Sequence, residues 1–173
     1  MKSIRRGTFE TNSSSSHSIS IVDSELVESE LNLVDPWKID YCDDLDYNKQ
    51  YVMIDFHEYC SWDDHESQED RLALCIQQLV AELDLDFWCV SNEKWYENIK
   101  KLYESEKFQE ISDEIADYVG SHCGGVRIRE LSEGYIDHDS DYGSYDNFMS
   151  CNGLDLVCFV FAKEAYAHFE FNG

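Results

Sequence analysis

The sequence predicts an α+β fold: an antiparallel or mixed sheet, built from strands near both ends of the chain, packed on about three central helices. Three observations lead there. Residues 67–120 carry three apolar series at helical spacing, each opened by a capping serine or stopped by a glycine. Short runs rich in β-branched and aromatic residues flank that region on both sides. The 173 residues are 43% hydrophobic and 14% aromatic with a single proline, Pro36, a composition that can bury a core and is the opposite of a disordered one. The length argues for one domain, spanning 1–173.

Taken in order, residues 3–9 read as a strand, 11–17 as a polar loop and 18–22 as a second strand, so that 1–22 form a strand-loop-strand segment. Residues 23–50 are acidic and irregular, broken at Asp35-Pro36. Residues 51–56 form a short, nearly continuous apolar run, the pattern of a buried strand. Ser67-Gln-Glu-Asp70 then resembles a capping box, and Leu72, Cys75, Ile76, Leu79, Val80 and Leu83 follow at helical spacing. Ser91 opens a second helix with Trp95, Ile99, Leu102 and Tyr103 on one face. Phe108, Ile111, Ile115, Tyr118 and Val119 mark a third, stopped by Gly120. After Gly124-Gly125, residues 126–131 read as a strand. The apolar run 154–161 reads as another, and 165–171 alternates so that Ala167, Phe169 and Phe171 share a face.

Charge narrows the function. Thirteen Lys and Arg against 37 Asp and Glu give −24. Lys2, Arg5 and Arg6 against Glu10 make residues 1–22 net +2, which leaves −26 on the remaining 151. A field of that sign repels free nucleic acid and anionic lipid and attracts basic protein surfaces. The expected partner is therefore a cationic macromolecule, with neither a membrane nor free nucleic acid favoured. Seven cysteines, an odd number without a C-x-x-C pair, read as reduced thiols of a cytoplasmic protein. Met1–Arg6 is basic with no apolar run behind it, so no secretory leader is expected, and the longest apolar run, 156–162, is too short to span a bilayer.

The densest chemistry lies in Phe9-Glu-Thr-Asn-Ser-Ser-Ser-Ser-His-Ser18. Thr11, Asn12, Ser13, Ser14, Ser15 and Ser16 offer hydroxyl, amide and backbone N–H donors in the combination that suits a phosphate oxygen. Arg5 and Arg6 lie just upstream, and a guanidinium can grip a phosphate with two parallel hydrogen bonds. His17 titrates near neutrality, so Glu10 and His17 are the candidate proton carriers for metal-free RNA cleavage. The plainer reading is a flexible serine-rich connector whose polar side chains cap turns. No cofactor or metal is expected.

The string Arg6-Gly-Thr-Phe-Glu-Thr-Asn-Ser-Ser-Ser-Ser-His-Ser-Ile19 resembles the N-terminal signature of a family carried by phages and mobile elements of Gram-positive bacteria. Through that family it resembles a type II-A anti-CRISPR protein that disables Cas9 by truncating its guide RNA. The resemblance covers about 15 residues, and nothing beyond residue 22 matches. It implies a counter-defence protein acting in the host bacterial cytoplasm, with ribonuclease activity in this loop and a Cas9-type effector with its guide RNA as partner.

Two acid-rich stretches are candidate docking surfaces. The first holds Asp55, Glu58, Asp63, Asp64, Glu66, Glu69 and Asp70; the second contains Asp137, Asp139 and Asp141, with Tyr135, Tyr142 and Tyr145 interleaved. Spaced carboxylates imitate a nucleic-acid backbone, although such runs are usually solvated faces. Asp137–Gly143 echoes the start of a calcium loop, but its glycine is one place late and its twelfth position is Phe148 rather than Glu. His57, Cys60, His65 and the His122-Cys123 pair have loosely zinc-like spacing without a C-x-x-C to support it. No P-loop, G-x-G-x-x-G, H-E-x-x-H or G-x-S-x-G is present. Three functions remain: an acidic inhibitor that docks on a basic effector and cuts its RNA, a stoichiometric nucleic-acid mimic, and a nucleotide-processing enzyme using the same loop.

Overall fold

The computed structural model describes residues 3–8, 15–22, 25–39, 41–55, 64–65, 67–87, 90–129, 145–146, 149, 155–163 and 165–172. For 3–8, 15–22, 64–65 and 166–172 the description is of backbone path and pairing. Strands from the two ends of the chain meet in one antiparallel sheet: β1 (Ser3–Thr8), β2 (Ser15–Val22), β7 (Tyr166–Asn172) and β5 (Asp64–His65), in the order β1-β2-β7-β5. A second sheet contains β3 (Leu33–Val34), β4 (Gln50–Ile54) and β6 (Cys123–Ile128). Its β3–β4 pair is antiparallel and its β4–β6 pair parallel. The fold is α+β, as the sequence predicts, with the strands divided between an antiparallel and a mixed sheet.

The parallel pair requires a long crossover, and the three predicted helices supply it: α1 (Gln68–Glu82), α2 (Asn92–Glu104) and α3 (Glu106–Val119). Each begins on a serine. The Asp70 N–H donates to Ser67 Oγ at 3.0 Å, while the Ser67 hydroxyl donates to Asp70 Oδ2 at 2.6 Å. Lys94 N–H donates to Ser91 Oγ, and Phe108 N–H to Ser105 Oγ. Ser105 also donates its hydroxyl to the Leu102 carbonyl at 2.7 Å, so one side chain ends α2 and starts α3. At the other end of α3, Gly120 takes φ +121° and its N–H returns to the Ala116 carbonyl.

Among the described residues, the helices pack on the mixed sheet. The reason is period two on β4: Val52 and Ile54 enter the main core with Leu72, Ile76, Phe108, Ile111 and Ile115, while Tyr51 and Met53 face a smaller cluster with Ile39 and Leu45. Both faces are buried, which explains the unbroken apolar run. Residues 25–39, expected to be irregular, contribute β3, the single-turn 3-10 helix Pro36–Lys38 and a bridge from Leu26 to Ala162.

The run 154–161, expected as a strand, contains the short helix α4 (Leu156–Phe161). Asp155 accepts a hydrogen bond from Cys158 N–H at 2.8 Å and so caps it. A short apolar segment has no periodicity to separate helix from strand, and here Leu156, Phe159, Val160 and Phe161 are all buried. Arg71, itself 3% exposed, locks the chain that follows. Its guanidinium donates from Nε and Nη2 to the Val160 carbonyl and from Nη1 to the Ala165 carbonyl, which fixes the entry to β7. Among the described residues, no helix is long and apolar enough to cross a membrane.

Candidate functional site

The terminal sheet determines which N-terminal residues can act together. Thr8 pairs with His17, and His17 pairs in turn with Glu170. One step along, Arg6 pairs with Ile19, Ile19 with His168, and His168 with Asp64. Directly paired residues share a sheet face, and residues two apart on a strand share it as well. Arg6, Thr8, Ser15, His17, His168, Glu170 and Asp64 therefore occupy one face. Arg5, Ser16 and His65 occupy the other, together with Ala167, Phe169 and Phe171, which share a face as their alternation predicts.

This arrangement alters the sequence reading in two ways. Of the polar loop expected over 11–17, Ser15, Ser16 and His17 belong to β2 instead. Arg5 and Arg6, read together as a phosphate clamp, are successive strand residues on opposite faces, so only Arg6 accompanies His17. Glu10, Thr11, Asn12, Ser13 and Ser14 lie outside the described residues. Glu170 and His168 were missed because they stand about 150 residues away in sequence, and only the β2–β7 register brings them in.

The described acidic candidates, Asp55, Asp64, Glu69 and Asp70, lie at three different elements. Asp55 accepts from Arg129 Nη1 at 3.1 Å across the ends of β4 and β6, and Asp70 is held in the α1 cap. Glu69 lies half-buried in the first turn of α1, and Asp64 is on β5. Glu58, Asp63, Glu66, Asp137, Asp139 and Asp141 lie outside the described residues. A different acidic face is present on α3. Glu106, Glu110, Asp113 and Asp117 are exposed at spacings of four, three and four, opposite the buried Phe108, Ile111 and Ile115. The helical periodicity that reveals the buried face also indicates this one. Glu114 lies beside it. Partial burial, and then the nearby charges of Asp155 and Glu110, hold its carboxyl above the usual carboxylate range. Lys107 answers part of the charge, with Nζ 3.1 Å from Asp146 and 3.2 Å from Glu110.

Other charged or reactive groups in the helical half are structural. The Arg127 guanidinium lies 4.9 Å from the Tyr51 ring and 5.0 Å from that of Tyr103. The Tyr103 hydroxyl accepts from Ile128 N–H, and burial pushes its own ionisation up to about 12. Burial likewise raises the Cys75 thiol, leaving it inert as a nucleophile. Cys123, weighed with His122 as a zinc ligand, is buried on β6 while His122 is exposed; His57 and Cys60 lie outside the described residues. Trp95, Phe108 and Phe159 are core residues as expected, and Tyr118 stacks on Phe161 at 4.1 Å. No protein-family model matches the chain, and the comparisons with curated proteins and with solved structures found no match either.

Proposed function

We propose that this chain is a counter-defence protein of a phage or mobile element, one that docks its acidic body on a basic nucleic-acid-binding effector such as Cas9 and cleaves the guide RNA held there. The observation that carries the reading is charge asymmetry with chemistry at its positive end. Residues 1–22 are net +2 on a chain of −24, and their strands put Arg6, Thr8 and His17 on a common sheet face. Phosphate affinity needs cationic neutralisation, so such a protein binds free RNA poorly. An RNA already lying in a basic channel removes that obstacle: the carboxylates meet the channel walls and the basic N-terminal segment meets the phosphates. The N-terminal resemblance to a guide-RNA-truncating anti-CRISPR supports the same reading.

The test is to incubate guide RNA with the protein, alone and loaded on its effector, and to size the RNA. Cleavage should be much faster on the effector. Equal rates on free and loaded RNA would refute the docking step, and intact RNA in both would refute the nuclease. A second reading, a stoichiometric mimic without chemistry, is favoured by the carboxylate stripe Glu106, Glu110, Asp113 and Asp117. His17→Ala separates the two, since a mimic keeps its inhibition and a nuclease loses it while still binding.

A further inference from the structure

We infer that the sheet face carrying Arg6, His17, His168 and Glu170 is a two-histidine site for metal-free cleavage of RNA at a 2′-hydroxyl, an inference that rests on the nuclease reading above and adds its chemistry. Cleavage of this kind needs one group to take a proton, a second to give one, and a cation for the phosphate. The register supplies three such residues around a single position. Ile19 is paired with Arg6 on one side and His168 on the other, and His17 is two residues from it on β2. His17 and His168 are thus diagonal neighbours, a relation that puts Cβ atoms within about 7–8 Å in an antiparallel pair. Arg6 is likewise diagonal to His17.

Each histidine also faces a carboxylate residue across the sheet, His17 opposite Glu170 and His168 opposite Asp64. A carboxylate beside an imidazole fixes its orientation and stabilises its charged form. Two histidines with two carboxylates are also the donor set of a metal centre. Arg6 on the same face supplies a cation for a phosphate. Together with Asp64 and Glu170 it leaves the face at one net negative charge with neutral histidines, neutral with one imidazolium and positive with two, so the EDTA arm of the experiment separates an anion site from a metal centre.

The step balances without a co-reactant. One imidazole takes the 2′-hydroxyl proton as the 2′-oxygen forms a bond to phosphorus. The bond from phosphorus to the 5′-oxygen breaks, and the other imidazolium protonates that oxygen. The products are a 2′,3′-cyclic phosphate and a 5′-hydroxyl end, and the two histidines have exchanged protonation states.

The experiment uses the full chain, in EDTA, with a 5′-labelled RNA loaded on its basic effector. The wild type should leave a cyclic phosphate and show a bell-shaped pH profile. His17→Gln and His168→Gln should each cut about 10²–10⁴-fold more slowly, while still binding the complex. His65→Gln, on the other face, should cut normally. Glu170→Gln should shift one limb of the bell, which a purely structural glutamate would not do. Full activity in His168→Gln, a single-limbed wild-type profile, or loss of cutting in EDTA with recovery on adding a divalent cation would overturn the assignment while leaving the nuclease standing. A wild type that cuts nothing would overturn both.

Discussion

Gly125→Ala tests the joint that holds α3 against the mixed sheet. Between Gln50 and Val52 the pairing slips: two residues on β4 advance against three on β6, from Cys123 to Val126. The extra residue is a bulge, and Gly125 takes it up at φ +109°. A Cβ there would lie 2.2 Å from Ser112 Oγ. That hydroxyl accepts the buried Val126 N–H at 2.9 Å, so it cannot withdraw without orphaning a donor. Left-handed backbone at a residue with a Cβ costs about 1–3 kcal/mol, and a lost buried hydrogen bond costs about 1–3 kcal/mol more. The substitution should therefore destabilise by about 2–6 kcal/mol, measurable by urea unfolding followed by tryptophan fluorescence. Ser112→Ala alone should cost about 1–3 kcal/mol. The double variant should be hardly worse than Gly125→Ala, since both changes forfeit the same bond. A Gly125→Ala protein within about 0.5 kcal/mol of wild type, or strictly additive costs, would refute the account.

Arg71→Met strips the Val160 and Ala165 carbonyls of their donors; leaving two buried acceptors unpaired should cost about 2–6 kcal/mol, read as a fall in the urea midpoint. Glu114 binds its proton more tightly in the folded state than an ordinary carboxylate does. Its contribution to stability is accordingly present below the usual carboxylate range and lost as pH rises through its raised value. Glu114→Gln should thus stabilise at pH 7 by removing the partly buried charge and its repulsion from Asp155 and Glu110, the Glu110 pair four residues away accounting for about 0.2–0.5 kcal/mol. The gain should vanish in acid and shrink with salt when thermal melts are compared. Asp113→Lys with Asp117→Lys should change stability by less than about 0.5 kcal/mol. The pair should weaken docking on a basic effector by a factor of about 5–30, with most of the change in the association rate measured by a binding sensor at low salt.

The helical middle was the most legible part of the chain, because its signals are local. Ser67 and Ser91 cap within three residues of themselves, and the buried positions of α2 and α3 repeat every three or four residues; the Ser105 cap of α3 was not read from the sequence. Where the sequence misled, the deciding interaction was distant. Residues 154–161 look like a strand, yet the Asp155 cap and burial of Leu156, Phe159, Val160 and Phe161 among α1 and α3 make a helix. The candidate site was half legible. Arg6, Thr8 and His17 lie in one short string, but the string shows neither that Arg5 falls on the opposite face nor that Glu170 is the residue paired with His17. Those facts belong to a register set by strand pairing across nearly the whole chain.

The charge of −24 serves the proposed docking only if it does more than keep the protein in solution, and salt distinguishes the two roles. Self-repulsion among neighbouring carboxylates such as Glu110, Glu114 and Asp155 destabilises the fold, and screening over about 8–10 Å relieves it. Added salt should therefore raise the melting temperature. The same screening removes the attraction between the acidic body and a basic channel, so inhibition of the effector should fall over the same range of ionic strength. A charge retained for solubility alone produces the first effect without the second. Stability and inhibition moving in opposite directions as salt rises is the signature of a surface that gives up some stability to recognise a cationic partner.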